Sequence, residues 1–323
     1  MNDIKLEITS TKNLLAFSAG IDSSALFFLL IENNIPFDMA IVNYNQRRQS
    51  QDEVIYATQL AHKYQKRCFI SEYPKELAFS EKNARDYRYS FFDEIMKENS
   101  YVSLLTAHQL NDNLEWFLMQ FTKGAGLSEL LGMQKSTYKN GYYILKPLLD
   151  YSKKDLQAYL DNRNKKYFID ESNYDEKYRR NYFRHNFTDE LLDNFQDGIS
   201  KSFKYLELDN CSLFDGVVED KVDNLTTFTF NGDINIAIRL IDKELKKRGI
   251  IISHKTRVEI SEKKELVVSH LIAISIQENK IYMAPFLDNG MEKKFKDKCR
   301  INKIPKIIRP YLFTLYEKGL FSF

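Results

Sequence analysis

Cysteine is scarce in this sequence and never occurs as a close pair. Among the 323 residues there are three cysteines, Cys68, Cys211 and Cys299, and no CxxC spacing. The pattern therefore encodes neither a CxxC zinc knuckle nor a paired redox site. It also argues against a disulfide scaffold, which favours a reducing compartment.

Long apolar runs are missing as well. The longest, ALFFLLI at 25–31, is far shorter than the ~20 residues that a membrane-spanning helix needs. The polar N-terminal segment lacks the apolar core of a signal peptide. We therefore expect a cytoplasmic protein with no membrane segment.

Neither sign of charge dominates, and residues that favour turns are few. Lys and Arg total 47, Asp and Glu total 45, and the formal net charge is +2. This balance excludes a histone-like polycation, although a local basic face is compatible with it. Glycine and proline number only 11 and 6, so a glycine that follows an apolar segment carries more weight as a turn position.

The first half of the chain alternates two kinds of apolar pattern. Short buried-strand patterns lie at 13–18, 38–43, 67–71, 101–107 and 141–149. Helical patterns occupy 23–34, 50–65, 81–99, 111–122 and 152–164. This alternation predicts an α/β fold with a doubly wound parallel sheet, in which ligands bind beyond the carboxyl ends of the strands.

The alternation ends near residue 190. Beyond it, TTFTF and LIAISI are typical of strands, and INIAIRLIDKELKKRG is typical of a helix. We therefore predict a nucleotide-binding catalytic domain over 1–190. Residues 191–323 are predicted to form a helical linker and a smaller α+β domain.

The first predicted strand ends in SAGIDSS (18–24), a polar turn that enters a helix. A helix N-terminus presents free N–H groups and a positive dipole end, which suit a phosphate, and the hydroxyls of Ser18 and Ser23 can add donors. Asp22 is an anion, so its expected use is to hold a magnesium ion that bridges to the phosphates. On the turn alone, an ordinary Asp/Ser helix cap is an equal alternative.

The fourth predicted strand leads into TAHQLNDNLEW (106–116). His108 lies at its carboxyl end, and Asp112 and Glu115 are spaced to share one helix face. Such a carboxylate pair could complete a magnesium site or orient an amine substrate. Separately, a structural histidine and two dipole-stabilised carboxylates explain these residues better. Their position beside SAGIDSS, at adjacent strand ends, favours a site.

Cations cluster in three further segments. Arg85, on the predicted helix 81–99, could pair with a phosphate or carboxylate or simply face solvent. DESNYDEKYRRNYFRHN (170–186) interleaves cations with aromatic residues, which suits RNA as well as it suits a charged helix face. Its candidate tRNA-binding residues are Lys177, Arg179, Arg180 and Arg184. Residues 293–309 hold eight Lys/Arg and one Asp, a candidate polyanion footprint.

Together these segments resemble a known family. SAGIDSS resembles the SGGxDS pyrophosphate (PP) loop of the N-type ATP pyrophosphatases. Five further segments resemble motifs of the tRNA(Ile)-lysidine synthetases. VNYNQR resembles VDHGLR, NARDYRY resembles ARxxRY, and TAHQLNDNLEW…GM resembles AHHxDDQxE…GM. Further along, LKPLLDYSKKDLQAYL resembles RPLL…R.EI..Y, and DESNYDEKYRRNYFRHN resembles DxSNxD…RNRIR. These six ordered segments span 13–187, whereas 301–310 is only faintly similar to the family's tail.

The resemblance implies an adenine nucleotide alpha hydrolase-like PP-loop domain over 1–190 and tRNA binding by 191–323. It implies a ligase that forms a carbon–nitrogen bond. ATP adenylates the C2 oxygen of the wobble cytidine (position 34) of isoleucine tRNA with a CAU anticodon, and L-lysine then displaces AMP, which changes the codon read from AUG to AUA. The cofactors implied are ATP and Mg²⁺, and a homodimer is compatible with the sequence.

The same resemblance implies a set of site residues. The phosphate loop would comprise Ser18, Ala19, Gly20, Ile21, Asp22 and Ser23, and magnesium would bind Asp22 and Asp112. The catalytic set would be Asp22, Arg85, His108, Asp112 and Glu115.

Five positions depart from the family pattern, and the family roles of four of them, Asn43, Tyr44, Gln109 and Asn111, do not carry over. Ala19 replaces a loop glycine, Asn43 and Tyr44 replace Asp and His, Gln109 replaces the second His, and Asn111 replaces the first Asp. Ala19 adds a methyl group where the backbone approaches phosphate. We expect this to be tolerable only if φ at Ala19 is negative.

Three other functions compete with lysine ligation. A tRNA thiolase needs cysteines near the ATP site, and Cys68 alone lies in the first domain. An amidotransferase-type synthetase would not need the basic stretches and would need an ammonia source. A non-catalytic RNA-binding protein would gain little from carboxylates beside a phosphate loop.

Overall fold

The computed structural model describes residue 8 and residues 11–46, 49–169 and 179–323. Contacts within the chain divide it into two compact units, Met1–Glu207 and Leu208–Phe323. Each unit has its own sheet: six strands in the first and five in the second.

The first unit is a strand–helix alternation. Its strands are β1 Asn13–Ala16, β2 Asp38–Asn43, β3 Cys68–Glu72, β4 Ser103–Leu105, β5 Ser136–Lys139 and β6 Tyr142–Leu145. The helices are α1 Ile21–Glu32, α2 Gln49–Lys63, α3 Glu81–Glu98, α4 Leu110–Phe121, α5 Leu127–Leu130, α6 Lys153–Asp161 and α7 Arg179–Phe183. A π-helical turn, Arg184–Thr188, then joins α7 to α8 Asp189–Leu213, which crosses the boundary between the units.

The sheet of the first unit has the strand order β3-β2-β1-β4-β6-β5. Every neighbouring pair from β3 to β6 is parallel, and only β5 runs antiparallel, against β6. Successive residues of a strand point to opposite faces, so Leu15 packs among α1, α2 and α6 while Leu14 packs against α3. The predicted doubly wound α/β fold is confirmed.

Several predicted boundaries were too long. The fourth predicted strand, 101–107, contains only β4, and the fifth, 141–149, contains only β6. The β5–β6 hairpin was not predicted, because β5 is an exposed edge strand (STYK) without an apolar face.

The second unit is an antiparallel sheet between helices. Its strands are β7 Val218–Val222, β8 Leu225–Thr229, β9 Glu265–Val268, β10 Ile272–Ile276 and β11 Lys280–Pro285, in the order β7-β8-β11-β10-β9. The helices are α9 Ile234–Lys247, α10 His254–Lys263, α11 Lys293–Ile301 and α12 Arg309–Glu317, with a 3-10 turn Lys306–Ile308 before α12. One sheet face packs on α9 and α10, and the other packs on α11, the 3-10 turn and α12. This agrees with the predicted C-terminal α+β region.

Parallel pairing of β1 with β4 fixes where the candidate site lies. Leu15 and Leu105 are register partners, so the segments that follow β1 and β4 leave the same edge of the sheet side by side. The predicted phosphate loop and the start of α4 are therefore neighbours. Among the described residues, no helix is long and apolar enough to cross a membrane.

Candidate active site

The turn between β1 and α1 is held by its own serines. The Ser18 amide donates to Ser23 Oγ at 3.2 Å, the two hydroxyls are 3.1 Å apart, and Ser23 Oγ donates to the Gly20 carbonyl at 3.3 Å. Ser18 is exposed, and Ile21 begins the helix. The first N–H groups of a helix lack intrahelical partners, so this turn offers the donors that a phosphate needs.

Ala19 contradicts the expectation of a negative φ. Its φ is +58°, in the left-handed region, and its side chain is buried. Gly20, beside it, has an ordinary extended φ of −73°. The carbonyl of Ala19 accepts a hydrogen bond from the Phe168 amide at 2.9 Å, and this contact helps to hold the turn. The conformational free energy of an alanine in the left-handed region is about 1 kcal/mol higher than that of a relaxed alanine. The rest of the fold must compensate for this strain.

Asp22 is half-buried, and one of its carboxylate oxygens is unsatisfied. Its Oδ1 is buried and has no hydrogen-bond partner among the described residues. Burial, reinforced by the charge of Asp112, raises the pKa of Asp22 to about 7, although Lys153 and Arg184 oppose the shift. Such a carboxylate is poorly compensated by the protein itself and fits a cation.

The described residues contain no cluster of three His, Cys, Asp or Glu side chains that could hold a metal. Magnesium does not require one, since it usually keeps several waters and binds one or two carboxylates together with substrate phosphates. The unsatisfied oxygen of Asp22 beside the phosphate turn therefore fits this ion. Asp112 fits less completely, because both of its oxygens already accept hydrogen bonds.

His108 follows β4 and is held neutral. Its Nδ1 lies 3.0 Å from Thr106 Oγ1. Burial lowers the pKa of His108 to about 4 despite the opposing charge of Asp112, and Lys146 and Arg180 add to the lowering. At neutral pH this imidazole can donate or accept a hydrogen bond but holds no charge for an anion.

The start of α4 is fixed by a capping box. Gln109 Oε1 accepts from the Asn111 amide at 2.5 Å, and Asp112 Oδ2 accepts from the Gln109 amide at 3.1 Å. The Asn111 side chain donates to Asp189 Oδ1 and accepts from the Lys153 amide, both at 3.0 Å. Two of the departures from the family pattern thus orient α4 and join it to α6 and α8.

Asp112 and Glu115 are paired with two arginines from far along the chain. Glu115 is 1% exposed, and its oxygens accept from Arg180 Nε and Arg184 Nε, each at 2.6 Å. Arg180 Nη2 also donates to Asp112 Oδ1, and Arg184 Nη2 lies 4.0 Å from the same oxygen. Burial alone would lower the pKa of both guanidinium groups, but the carboxylates outweigh it and raise both values. Two cations and two anions therefore form one buried network.

The remaining predicted residues lie in different settings. Arg85 is exposed, with its guanidinium carbon 5.7 Å from the centre of the Tyr89 ring. Arg179 donates to Thr122 Oγ1 at 3.2 Å. Lys177 lies outside the described residues. Of the four predicted tRNA-binding residues, Arg180 and Arg184 direct their charge to carboxylates of the site, and tRNA binding by any of them stays a prediction.

Three basic residues of the site were not predicted. The charge of Lys153 acts on Asp22, and the charges of Lys146 and Arg88 act on His108. All three lie within segments that resemble the family, in LKPLLDYSKK and NARDYRY. Their cationic character was the available signal, but only the fold shows that their charges act on the site.

Comparisons with known proteins identify the family. A model of the PP-loop domain matches residues 1–191. A tRNA(Ile)-lysidine synthase from Campylobacter jejuni strain RM1221 is 41% identical over 304 residues, which are 94% of this chain and 92% of that protein. The chain belongs to the tRNA(Ile)-lysidine synthase family. A further member, from Wolinella succinogenes, is 40% identical over 94% of this chain and 93% of its own length.

A solved structure supports the fold. A U34-tRNA thiolase from Methanococcus maripaludis with its [4Fe-4S] cluster superposes with a TM-score of 0.50, 19% sequence identity, and coverage of 64% of this chain and 74% of that chain. At that identity the likeness shows the shared fold alone. Membership of the lysidine synthase family confirms the resemblance read from the sequence, and the PP-loop match supports ATP as the nucleotide.

Proposed function

We propose that this chain uses ATP to ligate L-lysine to C2 of the wobble cytidine of an isoleucine tRNA with a CAU anticodon. The reaction would proceed through an adenylated cytidine and release pyrophosphate and AMP. The modified base would pair with A instead of G, so the tRNA would read AUA instead of AUG. The observation that carries the proposal is the 41% identity to a lysidine synthase over 94% of this chain.

The β1–α1 turn is the proposed binding site for the ATP phosphates. The free N–H groups at the start of α1 and the hydroxyls of Ser18 and Ser23 would face the phosphate oxygens. Asp22, with Asp112 as a second candidate ligand, would hold Mg²⁺. When bound there, the ion supplies positive charge beside the reacting phosphate.

The arginine–carboxylate network is the proposed site for the lysine amine. Asp112 and Glu115 carry the negative charge that an ammonium group needs, but Arg180 and Arg184 already occupy their oxygens. Lysine would therefore enter by exchange with an arginine, not by filling an open anionic pocket. This exchange would keep the buried charges balanced, which matters because an unpaired buried charge is costly.

His108 is proposed to donate or accept a hydrogen bond in the reaction. A base whose pKa is about 4 takes up a proton poorly at neutral pH, since catalytic efficiency is greatest when the pKa lies near the working pH. Arg85 stays a candidate anion-binding residue, and Arg88 joins it because its charge reaches His108. Both belong to α3, the helix that contains the segment resembling the ARxxRY motif.

A tRNA thiolase is the second candidate, since a thiolase shares the fold. The only cysteine in residues 1–190, Cys68, lies in β3, and burial raises the pKa of its thiol to about 11. A thiol with that pKa supplies almost no thiolate at neutral pH. The cysteine content therefore favours lysine ligation.

The test is incorporation of labelled lysine into unmodified CAU-anticodon isoleucine tRNA with ATP and magnesium, measured after base hydrolysis of any ester. We expect stable label that requires ATP and disappears when the wobble C is replaced. Asp22→Asn should abolish it, whereas Asp86→Asn, a change of an exposed aspartate on α3, should not. ATP consumption without label would indicate another tRNA chemistry. The absence of both labelling and ATP consumption would favour a binding protein.

The proposed substrate also predicts salt-sensitive binding. Basic residues that contact tRNA phosphates release counterions, so tRNA affinity should fall steeply as salt rises. An affinity that does not change with salt would contradict the assignment of the basic stretches to tRNA. The tRNA substrate is also consistent with the expected cytoplasmic location.

A further inference from the structure

A second cavity lies within the C-terminal unit, outside the site described above. Its volume is about 330 Å³. The floor is apolar and is formed by Leu225, Ile304, Ile308 and Leu312. Small-molecule sites begin at about 300 Å³, so the cavity has room for a ligand the size of one nucleobase or nucleoside.

A polar row crosses the sheet beneath this cavity. Asp220 of β7 and Tyr282 of β11 are both register partners of Thr227 in β8. Directly opposed residues lie on the same face of a sheet, and all three line the cavity. The opposite face at this point carries apolar side chains such as Phe228 and Ile281. The row therefore places hydrogen-bonding groups beside the apolar residues of the cavity, where a polar ligand could use them.

Asp220 determines which hydrogen-bonding groups a ligand of this row must present. It is exposed at the rim, and no ion pair or hydrogen bond of its carboxylate is found among the described residues. A carboxylate accepts hydrogen bonds only. It therefore suits a ligand that presents N–H groups, such as the amino-bearing edge of cytosine or guanine.

Aromatic rings and cations surround the opening. Phe321 and Phe323 form one wall, and the Lys298 ammonium lies 5.4 Å from the centre of the Phe323 ring. Asn302, the C-cap of α11, lines the cavity as well. The helix α11 carries five exposed cations, which are Lys293, Lys294, Lys296, Lys298 and Arg300.

This combination is typical of single-stranded RNA recognition. Proteins hold the phosphates of unpaired nucleotides with Lys and Arg, and they stack the bases on aromatic rings and bond their edges. Here the cations lie on α11, the rings lie in the C-terminal segment, and the hydrogen-bonding row lies on the sheet. All three belong to one unit and meet at one cavity.

We propose that this cavity binds one unpaired nucleobase of the tRNA, a cytosine or guanine, outside the anticodon loop. The proposal rests on the proposed function, because it takes tRNA as the substrate. Asp220 accepts from the exocyclic amino group, the ring of Phe323 covers the base, and Lys298 faces its phosphate. The C-terminal unit thereby recognises a nucleotide distant from the wobble position.

Chemical footprinting of the full-length protein with unmodified CAU-anticodon isoleucine tRNA tests this directly. Bases are probed with reagents that react at unpaired Watson–Crick edges. We expect one unpaired C or G outside the anticodon loop to become protected. Ser322→Trp, which places an indole at the mouth of the cavity, should abolish that protection and weaken tRNA binding about tenfold, the scale of one stacked base.

Two variants control for folding and for charge. Asp220→Ala removes an exposed rim carboxylate and leaves no hydrogen-bond acceptor on the side chain, so it should leave the fold intact and reduce the protection. Glu219→Gln removes the same charge from the neighbouring residue of β7, whose register partner Phe228 belongs to the opposite face, and should leave the protection unchanged. Circular dichroism would show whether Ser322→Trp is folded, and Asp220→Ala provides the test if it is not.

Two results would overturn the proposal. One is that no unpaired base outside the anticodon loop is protected by the unaltered protein. The other is that Asp220→Ala and folded Ser322→Trp protect the same bases with unchanged affinity. Footprinting needs no turnover, so failure to ligate lysine would contradict the proposed function while leaving this result readable.

Discussion

The buried carboxylate of Asp22 should lower the stability of the first unit at neutral pH. Its folded pKa is about 7 against an ordinary value of 3.8. Each unit of pKa shift corresponds to 1.36 kcal/mol, so the full shift corresponds to about 4 kcal/mol. Asp22→Asn keeps the size of the side chain and removes the charge. We therefore expect this variant to be more stable than the unaltered protein.

The stability gained in Asp22→Asn should depend on pH in a defined direction. Between pH 4 and 7 the unfolded chain ionises Asp22 while the folded chain keeps its proton, so the folded state binds more protons and loses stability as pH rises. Asn at this position does not titrate. The gain in stability of Asp22→Asn should therefore be small near pH 4, grow up to about pH 7, and stay constant above it, with about 4 kcal/mol as its upper limit.

Urea denaturation followed by tryptophan fluorescence can measure this for the first unit alone. The sole tryptophan, Trp116, lies in α4, where its indole donates to the Glu129 carbonyl at 2.9 Å. Asp86→Asn, at an exposed position, is the matched control. A stability difference that does not vary with pH, or a loss of stability in Asp22→Asn, would refute the reasoning.

The same variant tests the link to magnesium. A ligand that binds only the folded state raises the free energy of unfolding. Magnesium with ATP should therefore stabilise the unaltered protein and Asp86→Asn, and stabilise Asp22→Asn much less. Equal stabilisation of all three by magnesium with ATP would mean that Asp22 does not hold the ion.

Three other changes probe strain and buried charge. Ala19→Gly should raise the free energy of unfolding by up to about 1 kcal/mol, because glycine relieves the strain of the positive φ but loses more chain entropy on folding. A clear loss of stability of this variant in a thermal melt would contradict the strain at Ala19. Glu244→Gln should cost the second unit about 2 kcal/mol, since the carboxylate accepts from Arg248 at 3.0 Å. Burial alone would raise the pKa of Glu244, but the Arg248 hydrogen bond and nearby lysines outweigh it and lower the pKa. The stability lost in Glu244→Gln should therefore vanish as pH falls below 4.5, which urea melts can measure. Asn111→Asp should cost about 1–3 kcal/mol by opposing the Asp189 carboxylate, and Asp189→Asn in the same chain should restore much of that stability.

The parts of the fold that the sequence predicted are those with a strong local pattern. Buried strands such as β1 and β2 are continuous apolar runs, and both were predicted. β7 (VEDKV) is an exposed edge strand with four exposed residues of five, so its composition resembles a loop. The same reason explains why β5 was not predicted.

The site was predictable where its residues follow strands directly. Asp22, His108 and Asp112 each lie close behind a predicted strand, and topology brings them together. The pairing of Glu115 with Arg180 spans 65 residues of sequence, and no local pattern reports such a contact. Arg180 and Arg184 were assigned to tRNA because their segment interleaves cations with aromatic residues, while the structure shows both bound to carboxylates.

The departure at Asn111 is explained by its neighbours. Its side chain must donate to Asp189 and accept from the Lys153 amide at the same time. An amide can do both, whereas an ionised carboxylate only accepts and would repel Asp189. Because Asn111 precedes Asp112 on α4, these two hydrogen bonds also fix the helix that carries the carboxylates of the candidate site. This chain has Asn111 where the family pattern has an acidic residue. The positions of Asp112 and Glu115 depend on the hydrogen bonds that the Asn111 side chain makes and not on a charge at that position.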